Sequence, residues 1–208
     1  MKANTDDLIA RLAGDLHQAP AAARIRGGRL AAAAVVIAAS SLVLSGLLYG
    51  VRPDGPSSGW VGLTVWSALA LAGLVPIVRS RAPDAAPPSI LLVPGGAMLA
   101  ILLAATLWAN AKGAPAIRFD HVAHCLQTIG VLSLAPFICI SAFIRRGAPA
   151  SPAATGALAG LVAGAIGALA YSVSCPIHDP MTALSAHAAA VLVFALLGAV
   201  VGRRLYAW

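Results

Sequence analysis

Six times along this chain, about twenty consecutive residues pass without a Lys, Arg, Asp or Glu, and no other feature narrows the fold so far. A helix needs roughly 20 apolar residues to cross ~30 Å of hydrocarbon. Runs of that length extend from Leu30 to Tyr49, Trp60 to Val78, Ile90 to Trp108, Val122 to Ile144, Ala153 to Val173 and Ala183 to Val201. Charge, proline or glycine bounds each one, and charge stays out of their interiors because a charged side chain at the bilayer centre is expensive. With 60% hydrophobic and 10% charged residues over 208 positions, the composition argues against a water-soluble fold. The expected architecture is all-α: an integral membrane bundle of six transmembrane helices over residues 30–208, preceded by a short tail, residues 1–29.

The first run is read as a retained anchor, since the tail ahead of it carries three aspartates and the run exceeds a typical signal core. Placing the amino terminus in the cytoplasm puts eleven of the fourteen Lys and Arg residues on that side, leaving Arg52, Lys112 and Arg118 opposite. The positive-inside rule therefore favours both termini in the cytoplasm. The formal net charge of +7 does not imply direct nucleic-acid binding, because the basic residues are scattered at span ends and no soluble region presents them as a groove.

Within the tail, "NTDDLIARLAGDL" reads as an amphipathic helix. Asn4 or Thr5 caps it, Asp6 and Asp7 suit the positive end of its dipole, and Leu8, Ile9, Leu12 and Leu16 recur along one face. So short a helix is marginal alone and needs a surface to lie against. That surface is either the membrane or a soluble cytoplasmic protein. Acidic Asp6, Asp7 and Asp15 oppose anionic headgroups and favour the protein.

The polar chemistry collects at the opposite side. "FDHVAHCLQT" carries His121, His124 and Cys125, and "SCPIHDPMTALSAH" carries Cys175, His178 and His187. Spans four and five form a hairpin with its tip near residues 148–149. Cys125 lies about 23 to 24 residues before the tip and Cys175 about 26 to 27 after it, which at ~1.5 Å per residue sets them within about 5 Å in depth. Equal depth permits a bridge and leaves lateral distance open, since a disulfide needs the Cα atoms within about 7 Å. Gly156, Gly160 and Gly164 recur every fourth residue in span five and admit a closely approaching helix of unspecified identity. Three readings of the cysteines stand side by side: a redox pair, a site for a soft or borderline metal ion assisted by His121, His124 and His178, or small packing residues. Cys139, deeper in span four and close to Pro136, reads as a packing residue.

Taken together, "TDDLIARLAGDL", the six spans, an outer cysteine entering span four, "SCPIHDP" after span five and the closing "GRRLYAW" resemble the NrsF-type membrane anti-sigma factors, the negative regulators of sigma-F. That resemblance implies a multi-pass protein of the bacterial inner membrane. Such a protein holds an extracytoplasmic-function sigma factor inactive and releases it when oxidants or toxic metals are sensed, with Cys125 and Cys175 as the paired cysteines. The segment "HQAPAAARIRGG", His17 to Gly28, departs from the more basic, proline-led stretch expected there.

Other classes fit less well. A small six-span transporter usually sets charged residues or broken helices at mid-membrane, and apart from the thiol of Cys139 no ionisable group stands at the centre of any run. A periplasm-facing metal-binding membrane protein would use the same histidines and cysteines. An enzyme would have to build its site from that group with Asp120 and Asp179, on loops too short to shape a pocket. No catalytic residue and no resident cofactor is expected, a metal ion at the outer face excepted. The expected partners are a sigma factor and the lipid bilayer.

Overall fold

The computed structural model describes residues 27–50, 59–80, 89–111, 119–177 and 179–206. These residues are all-α, with no strand among them. Six helices follow in order: α1 Gly27–Tyr49, α2 Gly59–Arg79, α3 Ser89–Ala111, α4 Phe119–Ile144, α5 Pro152–Tyr171 and α6 Pro180–Leu205. Each coincides with one apolar run to within a few residues at either end. The chain divides into two compact units, Met1–Ala33 and Ala34–Trp208. Of the first, only the opening residues of α1 are described; all that follows concerns the second.

Length and composition narrow the six-span expectation. Four helices carry described segments long and apolar enough to cross a membrane: Trp60–Arg79, Ala123–Ile144, Pro152–Tyr171 and Pro180–Leu205. α1 and α3 contribute the shorter apolar segments Val35–Tyr49 and Pro94–Trp108. Peripheral helices turn large aliphatic side chains outward, among them Leu47, Leu71, Leu107, Ile138 and Leu196. Exposed apolar surface of that extent, on helix after helix, suits hydrocarbon rather than water.

The bundle is organised around α5, in which every residue from Leu158 to Tyr171 is buried. α6 packs along it most extensively, α4 and α2 cover further sides, and α3 lies mainly on α6. α5 is the Gly- and Ala-rich helix of the set, and its composition explains its place. With side chains this small, backbones approach closely, and van der Waals packing gains what apolar sequestration cannot supply in lipid. The repeat at Gly156 and Gly160 accepts α6: a carbon added at Gly156 would collide with the Gly198 carbonyl oxygen and lie 2.7 Å from the Gly202 Cα. On another side Gly167 faces α4, where an added carbon would meet the Ser133 hydroxyl and the Ile129 carbonyl oxygen.

Local chemistry sets the helix ends. Gly50 closes α1 in the left-handed region at φ +77°, donating its N–H to Gly46 at 3.0 Å. Pro152 opens α5 at its first turn after extended Ser151, where a missing N–H costs nothing. Asp179 caps α6, its carboxylate accepting from the Thr182 N–H at 2.7 Å and the Thr182 hydroxyl at 2.6 Å. At the far end the Tyr206 hydroxyl donates to Ser141 Oγ at 2.8 Å, tying the end of α6 to α4.

Candidate functional site

The hairpin of α4 and α5 returns Cys175 to the level of Cys125, and the structure supplies the lateral proximity that sequence left open. Cys125 lies on the inward face of α4, Cys175 follows α5 in the connection to α6, and both are free and buried. Asp179 starts α6 just beyond, so that two turns into the helix His187 swings back over the pair. The two sulfurs and a His187 ring nitrogen all lie within 4.8 Å of one another. All three residues are at most 3% exposed.

Aromatic rings wall this cluster. The Tyr171 ring stands 5.5 Å from the His187 ring, 5.9 Å from Tyr49 and 6.3 Å from His124, centroid to centroid. Trp66 closes another side, 6.3 Å from His187. A further tie runs from Ser174, one residue before the cysteine, to Ser45 of α1, hydroxyl to hydroxyl at 3.1 Å. Helices α1, α2, α4, α5 and α6 thus converge on the same end of the bundle.

The polar accounting inside the cluster is incomplete. His187 Nε2 and Trp66 Nε1 are buried without a hydrogen-bond partner among the described residues. Desolvated polar atoms left in this way cost roughly 1–3 kcal/mol each. Cys175 is held well below the ordinary thiol range, at about 4, chiefly by the hydrogen bond from the Cys125 thiol and then by the hydrogen bond and charge of His187, with burial opposing. Two sulfurs this close can lose two electrons and two protons to an oxidant to form a disulfide, or lose their protons to a soft cation.

The residues expected at the outer face separate accordingly. Cys125 and Cys175 meet. His124 is exposed and reaches the cluster only through the edge of Tyr171. His121 lies in the first turn of α4; its side chain and all of His178 are outside the described residues. So are Asp6, Asp7, Leu8, Ile9, Leu12 and Leu16. Cys139 is exposed beside Ile138, which corrects its reading as a packing residue: in that half of α4 the buried positions are Pro136, Ser141 and Ile144, and Cys139 is not among them. His187 was not among the expected ligands. The available signal was an imidazole near the start of an otherwise apolar run, since an ionisable residue in such a run usually serves a function.

Fold and cluster together define a multi-helix protein of membrane type that buries two free cysteines and a histidine side by side at one end. Residues 12–208 match the family model of NrsF, negative regulator of sigma F, and the chain belongs to that family. No curated protein and no solved structure matches it. Membership implies negative regulation of a sigma factor, with a sigma factor as partner; the family is one of regulators. The match takes in both cysteines and begins at Leu12, leaving Asp6 to Ile9 ahead of it.

Proposed function

We propose that the protein is a membrane anti-sigma factor that sequesters an extracytoplasmic-function sigma factor at its cytoplasmic side. An oxidant or metal ion reaching Cys125 and Cys175 from the periplasm releases it. The observation that carries this reading is the family match over residues 12–208. The buried sulfur pair supports its sensing half, since two thiols within 4.8 Å form a site that oxidation or metal capture would contract.

In this reading all six helices span a bacterial inner membrane, α1 and α3 being completed by residues flanking their apolar segments, and both termini are cytoplasmic. The charge distribution supports that orientation: Arg145 and Arg146 after α4, and Arg203 and Arg204 ending α6, stand at the end remote from the cysteines. Residues 1–29 form the docking segment, with Leu8, Ile9, Leu12 and Leu16 as its apolar face and Asp6 and Asp7 beside it. Contraction at the dithiol draws on α4 and on the connection into α6, and the Tyr206–Ser141 bond joins those two helices again at the cytoplasmic end. One packed body with two arrangements is what a transmembrane switch requires.

The test is a pull-down from detergent extract using the intact chain, a chain lacking residues 1–29, and the Cys125→Ser/Cys175→Ser variant. Capture of a sigma factor by the intact chain, lost with the tail and insensitive to inducers in the double variant, is the expected result. Capture of no sigma factor by the intact chain refutes the reading.

A further inference from the structure

We propose that His187 is the third ligand of a Cys125–Cys175–His187 site for a borderline-soft divalent cation, so that metal and oxidant act on the same sulfurs but only metal uses the imidazole. This rests on the reading of Cys125 and Cys175 as the sensing pair and adds to it a ligand on a third segment of the chain.

Geometry is the first support. A tetrahedral Zn2+ ion with Zn–S near 2.3 Å and Zn–N near 2.0–2.1 Å places its donors roughly 3.5–3.8 Å apart. The three donors lie within 4.8 Å of one another without any ion, so about 1 Å of closure completes the set. Rotamer changes and small helix shifts supply that distance; no element has to be rebuilt.

A second, independent support is the unfinished bonding of the histidine. His187 is 2% exposed and its Nε2 has no partner among the described residues. A histidine serving only as core would be expected to spend both ring nitrogens on hydrogen bonds. The Tyr171 and Trp66 rings lie against it at tilts of 46° and 43°, and neither satisfies that nitrogen.

Charge selects the kind of ion. Bound through both sulfurs as thiolates and through a neutral imidazole, the ligand set carries a charge of −2. A divalent cation cancels this; a monovalent one leaves a net negative charge in a site sealed from water, which is costly. Two sulfurs and one nitrogen suit zinc and its softer congeners, not hard oxygen-seeking cations such as magnesium or calcium.

The mechanical consequence differs from that of a disulfide. A disulfide joins α4 to the connection before α6. A metal ion grips α6 itself two turns inside the helix, on the element whose other end carries Arg203, Arg204 and the Tyr206 tie.

The experiment uses the reduced full chain in detergent micelles with Zn2+ as the probe. X-ray absorption on the wild-type protein at one equivalent of Zn2+ is expected to show two sulfur scatterers and the outer-shell pattern of an imidazole ring. His187→Gln and His187→Ala, checked for helix content, are expected to lose at least ~10-fold in Zn2+ affinity, by comparison with the 10–100-fold typical of mere outer-shell losses, and still to form the Cys125–Cys175 disulfide with diamide. Sulfur-only scattering, or unchanged Zn2+ affinity in both histidine variants, overturns the third-ligand proposal while leaving the dithiol intact. Cys125→Ser and Cys175→Ser proteins that bind Zn2+ as tightly as wild type overturn the sensing pair as well.

Discussion

Adding a single methyl group at Gly160 should loosen the bundle, and the size of the effect follows from where that carbon would sit. It would collide with the Phe194 carbonyl oxygen and stand 2.9 Å from the Phe194 carbonyl carbon and 3.1 Å from the Ala195 Cα. Carbon atoms rest about 3.5–4.0 Å apart, so α6 must retreat by roughly 0.5–1 Å. All three obstacles are main chain, and no side-chain rotation relieves them. Overpacking of this kind costs about 1–3 kcal/mol. Alanine also favours helix by about 0.8–1 kcal/mol over glycine, which would mask part of the loss, so the informative quantity is a difference. Gly130 in α4 is the reference: a carbon there meets only the Phe194 ring at 3.6 Å, an ordinary contact. Gly130→Ala gains the same propensity without the collision. Thermal unfolding of both variants in the same detergent, followed by circular dichroism, should therefore place Gly160→Ala about 1–3 kcal/mol below Gly130→Ala. At about 2–4 °C per kcal/mol for a chain of this size, the gap is easily measured. Equal midpoints for the two variants would refute backbone-to-backbone packing of α5 and α6.

Other substitutions probe the two ends of the bundle and the sulfur pair. Asp179→Ala removes the cap that holds the Thr182 N–H and hydroxyl, and unfolding in the same detergent should show a loss of about 0.5–2 kcal/mol, with Asp179→Asn retaining most of it. Tyr206→Phe deletes the bond to Ser141 and should cost about 0.5–1.5 kcal/mol; Ser141→Ala combined with it should cost little more, because the two share one interaction. In that wild-type bond the phenol sits above its ordinary ionisation range, chiefly through burial, so the ultraviolet titration difference between wild type and Tyr206→Phe should fall above the ordinary tyrosine range and return to it in denaturant. In a Cys139→Ser background, diamide should protect both remaining cysteines from maleimide labelling without producing a dimer. Persistent labelling of either one, or a disulfide between two chains, contradicts the pairing of Cys125 with Cys175.

Where this fold was legible from sequence, it was so because hydrocarbon imposes a length and forbids charge. Helix limits at Gly59–Arg79 and Pro152–Tyr171 lie within a residue or two of the apolar runs, since proline, glycine and arginine bound the runs and the helices alike. What the chain concealed was azimuth. α5 is apolar on every side, so no stripe announces which residues face which neighbour; Gly156 and Gly160 indicated a close approach but not that α6 makes it. The depth of Cys125 and Cys175 could be counted along a hairpin. His187 could not be counted in the same way, because it joins them through the start of a third segment, set by the cap at Asp179, and no short motif spans the three. Cys139 failed for a related reason: past Pro136 the buried positions of α4, Ser141 and Ile144, no longer follow the line through Cys125, Ile129 and Leu132.

A bundle whose innermost helix, α5, has its largest packing partner in the later α6 cannot be assembled in the order in which it is made. While the ribosome is still producing α6, the flank of α5 bearing Gly156 and Gly160 lacks the backbone that fills its shallow grooves. A segment made after α5 is thus the one that seats the middle. Loss of the carboxyl-terminal helix would remove more than one wall, stripping the centre of its largest neighbour and the cysteine pair of the imidazole beside it.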